Sequence, residues 1–398
     1  MTHARVLVVG DGVAGAASCV ALARAGVRAL WLVRTASGAR NAGPDSVGES
    51  LSPSSKPLLE ELGLGDILAS PRHRSANVTF SAWGSDILLE RSAVAHPLGG
   101  GWVIDRRHFE TQMCDAASAR ATRLAGQVAQ IAARPGGGFG LVLGCGAQIT
   151  ADFLIDATGR AAAIGRRLSR LERIDRLVAA TAFLQQRDTE VEPTRATLIE
   201  ASAQGWWYAT LLHDGRLALA CFSDPDLLPR AISRDPGIWR DLLAQSLHVG
   251  RWVADAGFAL DAPPRLVSAG TARLASPCTA GTDRGGWAAV GDAAVAFDPL
   301  SSHGLATALW TGARAGAAAA EWLAGSRQPL AEYGRAVRLG FDAFLQQRGA
   351  IYRHEQRFAN QPFWRRRQLQ APGSGMPTPS PPATHDTYKE INQQYIQP

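Results

Sequence analysis

Apolar residues fall in short blocks, and their spacing changes along the chain. Val6 to Val9 is an aliphatic run closed by Gly10. Ala16 to Ala25 is a small-residue segment of helical composition closed by Gly26, and Ala29 to Val33 is a second apolar run. "ARVLVVGDGVAGAASCVALARAGVRALWLVR" therefore predicts strand, glycine turn, helix, strand. Two later blocks have a similar form. "ADFLIDATGR" (Ala151–Arg160) is a strand ending in Asp156-Ala-Thr-Gly159, and "GWAAVGDAA" (Gly286–Ala294) is a strand ending in Gly291-Asp292. In the middle the pattern becomes alternation. Leu177–Gln185, Arg195–Ser202, Gly205–Leu212 and Leu217–Ser223 read as an antiparallel sheet, and Val78–Trp83 with Ile87–Glu90 as a hairpin. "FLQQRDTEVEPT" and "FSDPDLLPRAISRDP" are turn-rich joints, and a helix is expected within Pro225–Gly250. Leu58, Leu59 and Leu62 put apolar groups on one helical face. Long helical stretches follow Gly304 through Ala324 and run from Leu330 to Arg357, and Ala371–Thr384 has the Pro/Gly/Ser composition of a disordered tail.

A chain of 398 residues with 46% hydrophobic content supports two domains or one large α/β body with insertions. The net charge is +6, and nearly all the basic residues are arginine, with lysine only at Lys56 and Lys389. That balance fits an anionic cofactor or an acidic partner, and no nucleic-acid-binding motif accompanies it. Cys19, Cys114, Cys145, Cys221 and Cys278 are far apart with no C-x-x-C pair, the usage of a reduced cytoplasmic protein. A strand begins within a few residues of Met1 with no signal-peptide pattern, and no apolar run approaches the ~18 residues of a spanning helix, so no integral membrane association is expected.

Gly10, Gly12 and Gly15 form G-x-G-x-x-G between a strand and a helix. Gly10 permits the tight turn, Gly12 lets a pyrophosphate approach the backbone, and Gly15 lets helix pack on strand. The helix start at Val13 and Ala14 offers free N–H groups to phosphate. The acidic residue that would hold a ribose near position 33 is missing. Val33 stands there, followed by Arg34, which either contacts the adenosine end or hints at NADP. The later strand ends favour FAD. Three separated strand ends carry glycine with small or acidic residues, and one long cofactor along the carboxyl edge of a parallel sheet explains all three. Gly159 and Gly291 would border it, and Asp292 would accept hydrogen bonds from the ribityl hydroxyls. Pro299 breaks the chain, and the helix start around Ser302, Gly304 and Leu305 would turn N–H groups to the flavin pyrimidine.

This pattern resembles the FAD-dependent monooxygenases of the aromatic-hydroxylase type and the related flavin-dependent halogenases. The resemblance covers most of residues 1–345 through Gly10-Asp-Gly-Val-Ala-Gly15, Asp105-Arg106, Asp156-Ala-Thr-Gly159, and Gly291-Asp292 with Pro299. It implies ribityl binding by Asp292 and cofactor support by Arg106. "VGESLSPSSKPLLEELGL" (Val47–Leu64) is similar to a segment of tryptophan halogenases and their monooxygenase cousins, which implies Gly48, Glu49 and Ser50 beside the isoalloxazine. Two departures count against halogenation. The W-x-W-x-I-P motif is replaced by "GWWYATLL" (Gly205–Leu212), and where the tunnel lysine is expected, in "NVTFSAWGS", stands Ser81. The nearest resemblance is to flavoproteins that mature quinone cofactors in amine dehydrogenases and amino-acid oxidases. "SAWGS" (Ser81–Ser85), "GWVIDRRHFE" (Gly101–Glu110), "FDPLSSHGL" (Phe297–Leu305) and "QPFWRRRQ" (Gln361–Gln368) carry it.

That resemblance implies a monooxygenase that hydroxylates a tryptophan in a peptide or partner protein through a flavin C4a-hydroperoxide. NAD(P)H or a separate flavin reductase would supply electrons. The nucleophile is then the substrate, and the protein supplies a dry pocket, flavin positioning and one acid or base. No metal spacing or nucleophile elbow is present. His303 is the first candidate for proton work, against a structural role at a helix start. Asp298 is the second, against an N-cap role before Pro299. Trp83, Trp102, Trp206, Trp207 and Tyr208 either line an aromatic pocket or pack the sheet. A halogenase, and a non-catalytic flavin-binding partner of an oxidase, are the alternatives. The expected architecture is α/β: a discontinuous Rossmann-like FAD domain (1–75, 100–165, 275–345), an antiparallel β-sheet substrate domain (76–99, 166–274), a C-terminal helical segment (346–370) and a Pro-rich tail (371–398).

Overall fold

The computed structural model describes residues 2–34, 48–92, 99–188, 190–279 and 285–369. The Pro-rich tail at 371–398 and Val47 lie outside the described residues. The fold is mixed α/β, with a parallel sheet, an antiparallel sheet and C-terminal helices.

Five strands run parallel at the heart of the first sheet, in the order Gly286–Ala289, Gln148–Asp156, Thr2–Val9, Leu30–Val33, Thr122–Ala125. Val6, Leu7, Val8, Phe153, Leu154 and Ile155 are fully buried, as parallel strands covered on both faces require. Two further strands extend this sheet: Phe139–Leu143 pairs antiparallel with the first half of Gln148–Asp156, and Val128–Ala133 pairs antiparallel with Phe139–Leu143. Helix Val13–Arg24 packs against helix Gly304–Leu323 through small residues. A Cβ on Gly312 would stand 2.4 Å from the Ala14 carbonyl oxygen, and one on Gly316 would stand 2.8 Å from that of Ser18. Ascending numbers match ascending numbers, so the two helices run parallel. Their N-termini therefore open at the same edge of the sheet, with Gly304 about 12 Å further out along the axis than Gly312.

The second sheet has seven strands in the order Arg265–Ser268, Val178–Leu184, Leu217–Ser223, Gly205–Leu211, Thr197–Ser202, Val78–Ala82, Leu89–Ser92. The four alternating segments of the middle region pair antiparallel as their pattern predicts. The hairpin forms between Val78–Ala82 and Leu89–Ser92, and it joins the same sheet by a parallel pairing with Thr197–Ser202. Alternation gave no sign of that pairing. The helix expected within Pro225–Gly250 is two short helices, Pro236–Leu243 and Val249–Asp255. Helix Gln328–His354 runs unbroken through the boundary expected between 345 and 346, because its apolar stripe (Leu330, Tyr333, Val337, Phe341, Phe344) continues against both sheets' surroundings.

Alternation also sorts the aromatics. Trp207 faces outward against Trp239, at 4.9 Å between ring centroids. Trp206 lies on the opposite face, stacked on Phe222 at 3.9 Å, and its Nε1 donates to the Tyr352 hydroxyl at 3.2 Å. Trp83 donates to the Ile351 carbonyl and packs edge-on against Trp364. Trp102 packs against the core of the nucleotide fold. These four tryptophans fill the body of the protein. Tyr208, half-buried beside Ile199 and Ala220 on the face it shares with Trp206, is the one that borders the site described next.

Candidate active site

The carboxyl ends of the parallel strands finish level with one another. Val9 pairs with Asp156 and Leu32 in register, and Asp156 pairs with Ala289. The loops that follow must therefore meet. Gly10 has φ +120°, and a Cβ there would stand 2.2 Å from the Ala157 carbonyl oxygen. A Cβ on Gly15 would meet the Gly10 carbonyl oxygen at 2.2 Å, and one on Gly291 (φ +57°) would meet Ala14 Cβ at 2.9 Å. Gly12 is the N-cap of helix Val13–Arg24, whose first turn carries no acidic residue. The Val13 and Ala14 side chains are buried, so only their backbone is on offer. Arg34 is exposed at the end of Leu30–Val33, with its Nε 3.7 Å from Asp11 Oδ1. Gly159 (φ +64°) and Gly304 have nothing within 4 Å of where a Cβ would lie, so space is left at both places. Gly12 and Asp292 thus open on one continuous edge.

Asp292 is about one-third exposed, and its Oδ2 lies 3.3 Å from Arg160 Nε. Arg160 is itself held by the Gly270 carbonyl (2.5 Å) and the Phe297 carbonyl (3.4 Å). The sequence shows Arg160 directly after Gly159, yet only the fold brings it to Asp292. Asp156 plays a different part. It is fully buried and accepts from the Thr158, Ile164 and Gly165 backbone N–H groups, so it fixes the turn after its strand.

On the far side of the edge, Asp105 caps helix Arg106–Ser118 by accepting from His108 N. Arg106 donates from Nε to Glu110 at 2.8 Å and from a terminal nitrogen to the Gly48 carbonyl at 3.1 Å. Gly48 has φ +102°, a conformation few other residues tolerate. Glu49 is buried, its carbonyl accepts from Ile104 N, and Ser50 pairs with Val103 in a two-residue strand. The Gly48–Ser50 loop is thus clipped beside Arg106. A small cavity here is bordered by Glu49, Asp105, Arg106, Phe183, His213 and Arg216.

Between these groups and the second sheet lies the segment Phe297–Gly304. Pro299–Ser301 form one helical turn, Ser302 has φ +53°, and His303 caps helix Gly304–Leu323. The helix expected around Ser302, Gly304 and Leu305 begins at Gly304, after the interruption at Ser302. Leu305 turns inward and is buried. His303 is half-buried, and burial pushes its pKa below the ordinary 6.5. It borders a second small cavity with Leu300, Ser301, Phe344, Gln347, Arg348 and Ile351. Asp298 is fully buried, and its Oδ2 accepts from Arg348 Nε (2.9 Å) and the Tyr352 hydroxyl (2.9 Å). Its Oδ1 accepts from Leu300 N at 3.1 Å. With Oδ2 in a buried ion pair and Oδ1 capping the Pro299–Ser301 turn, Asp298 takes the N-cap role that stood as the alternative to catalysis, and is corrected from a catalytic candidate to a structural anchor. Arg348 gave no signal in the sequence, lying fifty residues away in an ordinary amphipathic helix.

Among the described residues no cluster of three or more His, Cys, Asp or Glu side chains is arranged to hold a metal ion, and no helix is long and apolar enough to cross a membrane. The residues do fit FAD. One helix start without acidic residues faces the glycine loop, a second lies further along the same edge, and an acid and open glycine positions lie between. Fold and site together define a flavin enzyme of the two-sheet class, with the cofactor's cradle along the parallel sheet and a second sheet above it.

The comparisons with known proteins narrow this class. Residues 87–377 match the tryptophan halogenase family, and the chain belongs to that family of FAD-dependent enzymes. It is similar to the putative FAD-dependent oxidoreductase LodB of Marinomonas mediterranea, at 28% identity over 376 residues, covering 91% of this chain and 96% of that protein. Among solved structures it resembles the peptidyl tryptophan dihydroxylase QhpG, essential for tryptophylquinone cofactor biogenesis, with TM-score 0.68 and 25% identity over 93% of this chain and 80% of that one. It shares its fold with the myxobacterial chondrochloren halogenase CndH, with TM-score 0.79 and 20% identity over 92% of this chain and 86% of that one.

Proposed function

We propose that this protein is an FAD-dependent monooxygenase that hydroxylates an electron-rich aromatic ring, a tryptophan side chain presented by a partner polypeptide during quinone cofactor maturation. Bound reduced flavin with dioxygen supplies an electrophilic oxygen atom. Gly10, Gly12, Gly15 and the Val13–Ala14 backbone bind the pyrophosphate. Arg34 lies at the adenosine end, Gly159, Gly291 and Asp292 hold the ribityl chain, and Gly48, Glu49, Ser50 and Arg106 flank the ring system. Pro299, Ser302, Gly304 and Leu305 set the helix start at its pyrimidine end. Ile199, Tyr208 and Leu300 exclude water from this side. His303, neutral near pH 7 because burial lowers its pKa, accepts the proton that the substrate ring loses on oxygen transfer.

One observation carries the choice of hydroxylation. Ser81 lies on the strand Val78–Ala82, in register with Ile199 and hence on the face shared with Tyr208, where the related halogenases would have a lysine. The chain's lysines are Lys56, exposed on helix Ser55–Glu61, and Lys389, outside the described residues. Support for a polypeptide substrate comes from the likeness to QhpG, and support for a maturation role from the likeness to LodB. NAD(P)H visiting the cradle transiently, or a separate flavin reductase, supplies the electrons.

The test supplies FAD, a reducing system, dioxygen and tryptophan-containing peptides, with and without chloride or bromide, and reads products by mass spectrometry. Gain of one or two oxygen atoms is expected. Halide-dependent replacement of hydrogen by halogen would overturn hydroxylation in favour of halogenation. Normal flavin binding without oxygen consumption would make the protein a non-catalytic partner of an oxidase.

A further inference from the structure

We propose that Arg348, on helix Gln328–His354 and bound to Asp298 of the Phe297–Gly304 segment, is a positioning residue that sets the conformation of that segment and so the surroundings of the flavin ring. The inference rests on the placement of the flavin given above. It does not require that the substrate be tryptophan.

The segment has little to hold it by itself. Ser302 sits at φ +53°, which persists in a residue other than glycine only where its surroundings over-determine it. The surroundings act through one carboxylate. Asp298 Oδ1 turns back to the segment and accepts from Leu300 N, while its carbonyl accepts from Ser301 N (3.1 Å) and Ser301 Oγ (2.9 Å). Its Oδ2 turns outward to Arg348 and Tyr352. Arg348, only 4% exposed, extends a second nitrogen to Asp175 Oδ2 at 2.6 Å. Asp175 Oδ1 in turn accepts from Leu177 N (3.0 Å) and Thr271 N (3.1 Å), the points where the chain enters and leaves the second sheet. One guanidinium thus ties the loop at the flavin to both connections of the sheet above it. Burial opposes its charge, but the carboxylate of Asp298, with Tyr352 and Asp175, offsets this and holds its pKa above the ordinary range. An apolar side chain of similar volume would stabilise the fold about as well as such a buried pair. What the pair supplies is directional geometry, at the one segment where His303 and the helix start must be placed.

The experiment compares R348K, Y352F and D175N with the wild type, each loaded with FAD. It reads thermal unfolding, FAD dissociation constant, the visible circular dichroism of bound flavin, and the share of electrons lost to hydrogen peroxide. R348K keeps the charge but not the two-sided geometry. It is expected to alter the flavin dichroism and lower coupling on the order of tenfold with KM little changed, as a displaced reacting geometry does. Y352F removes one hydrogen bond to Asp298 and shifts both readouts the same way by less. D175N leaves the Arg348–Asp298 contact in place but removes the other side of the bridge, and is expected to lower the unfolding midpoint and to shift dichroism and coupling the same way as R348K by much less. Should R348K not fold, Y352F decides. Flavin dichroism and coupling unchanged in a folded R348K, or in Y352F, would overturn the proposal, as would equal changes in D175N. A wild type that makes no hydroxylated product overturns the proposed reaction but leaves the dichroism test standing.

Discussion

The two ends of the proposed flavin cradle are built in opposite ways. At the phosphate end, shape comes from what is missing: Gly10, Gly15, Gly291 and Gly312 let backbones approach to distances that a Cβ would forbid. Each contact there is between backbone and backbone or between small groups. At the ring end, shape comes from what is added. Arg348 and Tyr352, from one distant helix, hold Asp298 of the Phe297–Gly304 segment, and Asp175, from another distant part of the chain, holds Arg348. A cradle for phosphate needs close approach and N–H groups, which backbone supplies alone. A segment that, in the proposed mechanism, holds the His303 imidazole beside a reacting ring needs directional side-chain contacts, because backbone by itself leaves Ser302 and His303 free to relax.

That contrast can be broken most severely at the phosphate end. Gly10→Val places a Cβ 2.2 Å from a carbonyl oxygen at φ +120°. It is expected to cost about 2–5 kcal/mol and abolish FAD binding, read by denaturant unfolding and by flavin fluorescence. At the ring end, His303→Gln is expected to slow product formation by roughly a hundredfold while FAD affinity changes little, as loss of a proton acceptor does. Equal losses in FAD affinity from both variants would erase the distinction between the ends. Between them, Asp292→Asn and Arg160→Met sharpen it. Both should weaken FAD binding without unfolding the protein, Asp292→Asn more, with Arg160→Met acting through Asp292 and costing about 1 kcal/mol of binding energy. Titration calorimetry with FAD checks the order.

The smallest effect expected is pH dependence away from both ends. His73 is buried beside His108, and burial lowers its pKa below the ordinary 6.5. The unfolded chain then binds the proton more readily than the folded one. The stability contribution is complete above about pH 6.5 and falls as pH drops below it. His73→Gln should flatten the loss of stability between pH 7 and 5 by up to about 1 kcal/mol. An unchanged slope in denaturant titrations at the two pH values would refute this.

What could be read from the sequence follows the same division. Gly10-x-Gly12-x-x-Gly15 and the strand ends at Asp156 and Gly291-Asp292 are local patterns whose physics is local, and they meet on one edge because parallel strands finish level. The four alternating strands of the second sheet were legible for the same reason. Arg348, Arg160 and the parallel pairing of Val78–Ala82 with Thr197–Ser202 were not, since each is a contact between residues far apart with no periodicity linking them. For Asp298 the sequence offered both a catalytic and an N-cap role and could not choose, because an acid next to Pro299 looks alike whether it faces a substrate or a buried arginine. The tryptophans were sorted only by knowing which way each strand turns.

The parallel seam between helices Val13–Arg24 and Gly304–Leu323 has a consequence for synthesis. The first glycine turn leaves the ribosome early, but its lining partner emerges only after some three hundred further residues. Until then no stable groove exists for the nucleotide, so the vitamin-derived ligand enters only once the helix from Gly304 has been made. Truncation before residue 304 should yield a colourless chain, however intact its opening motif.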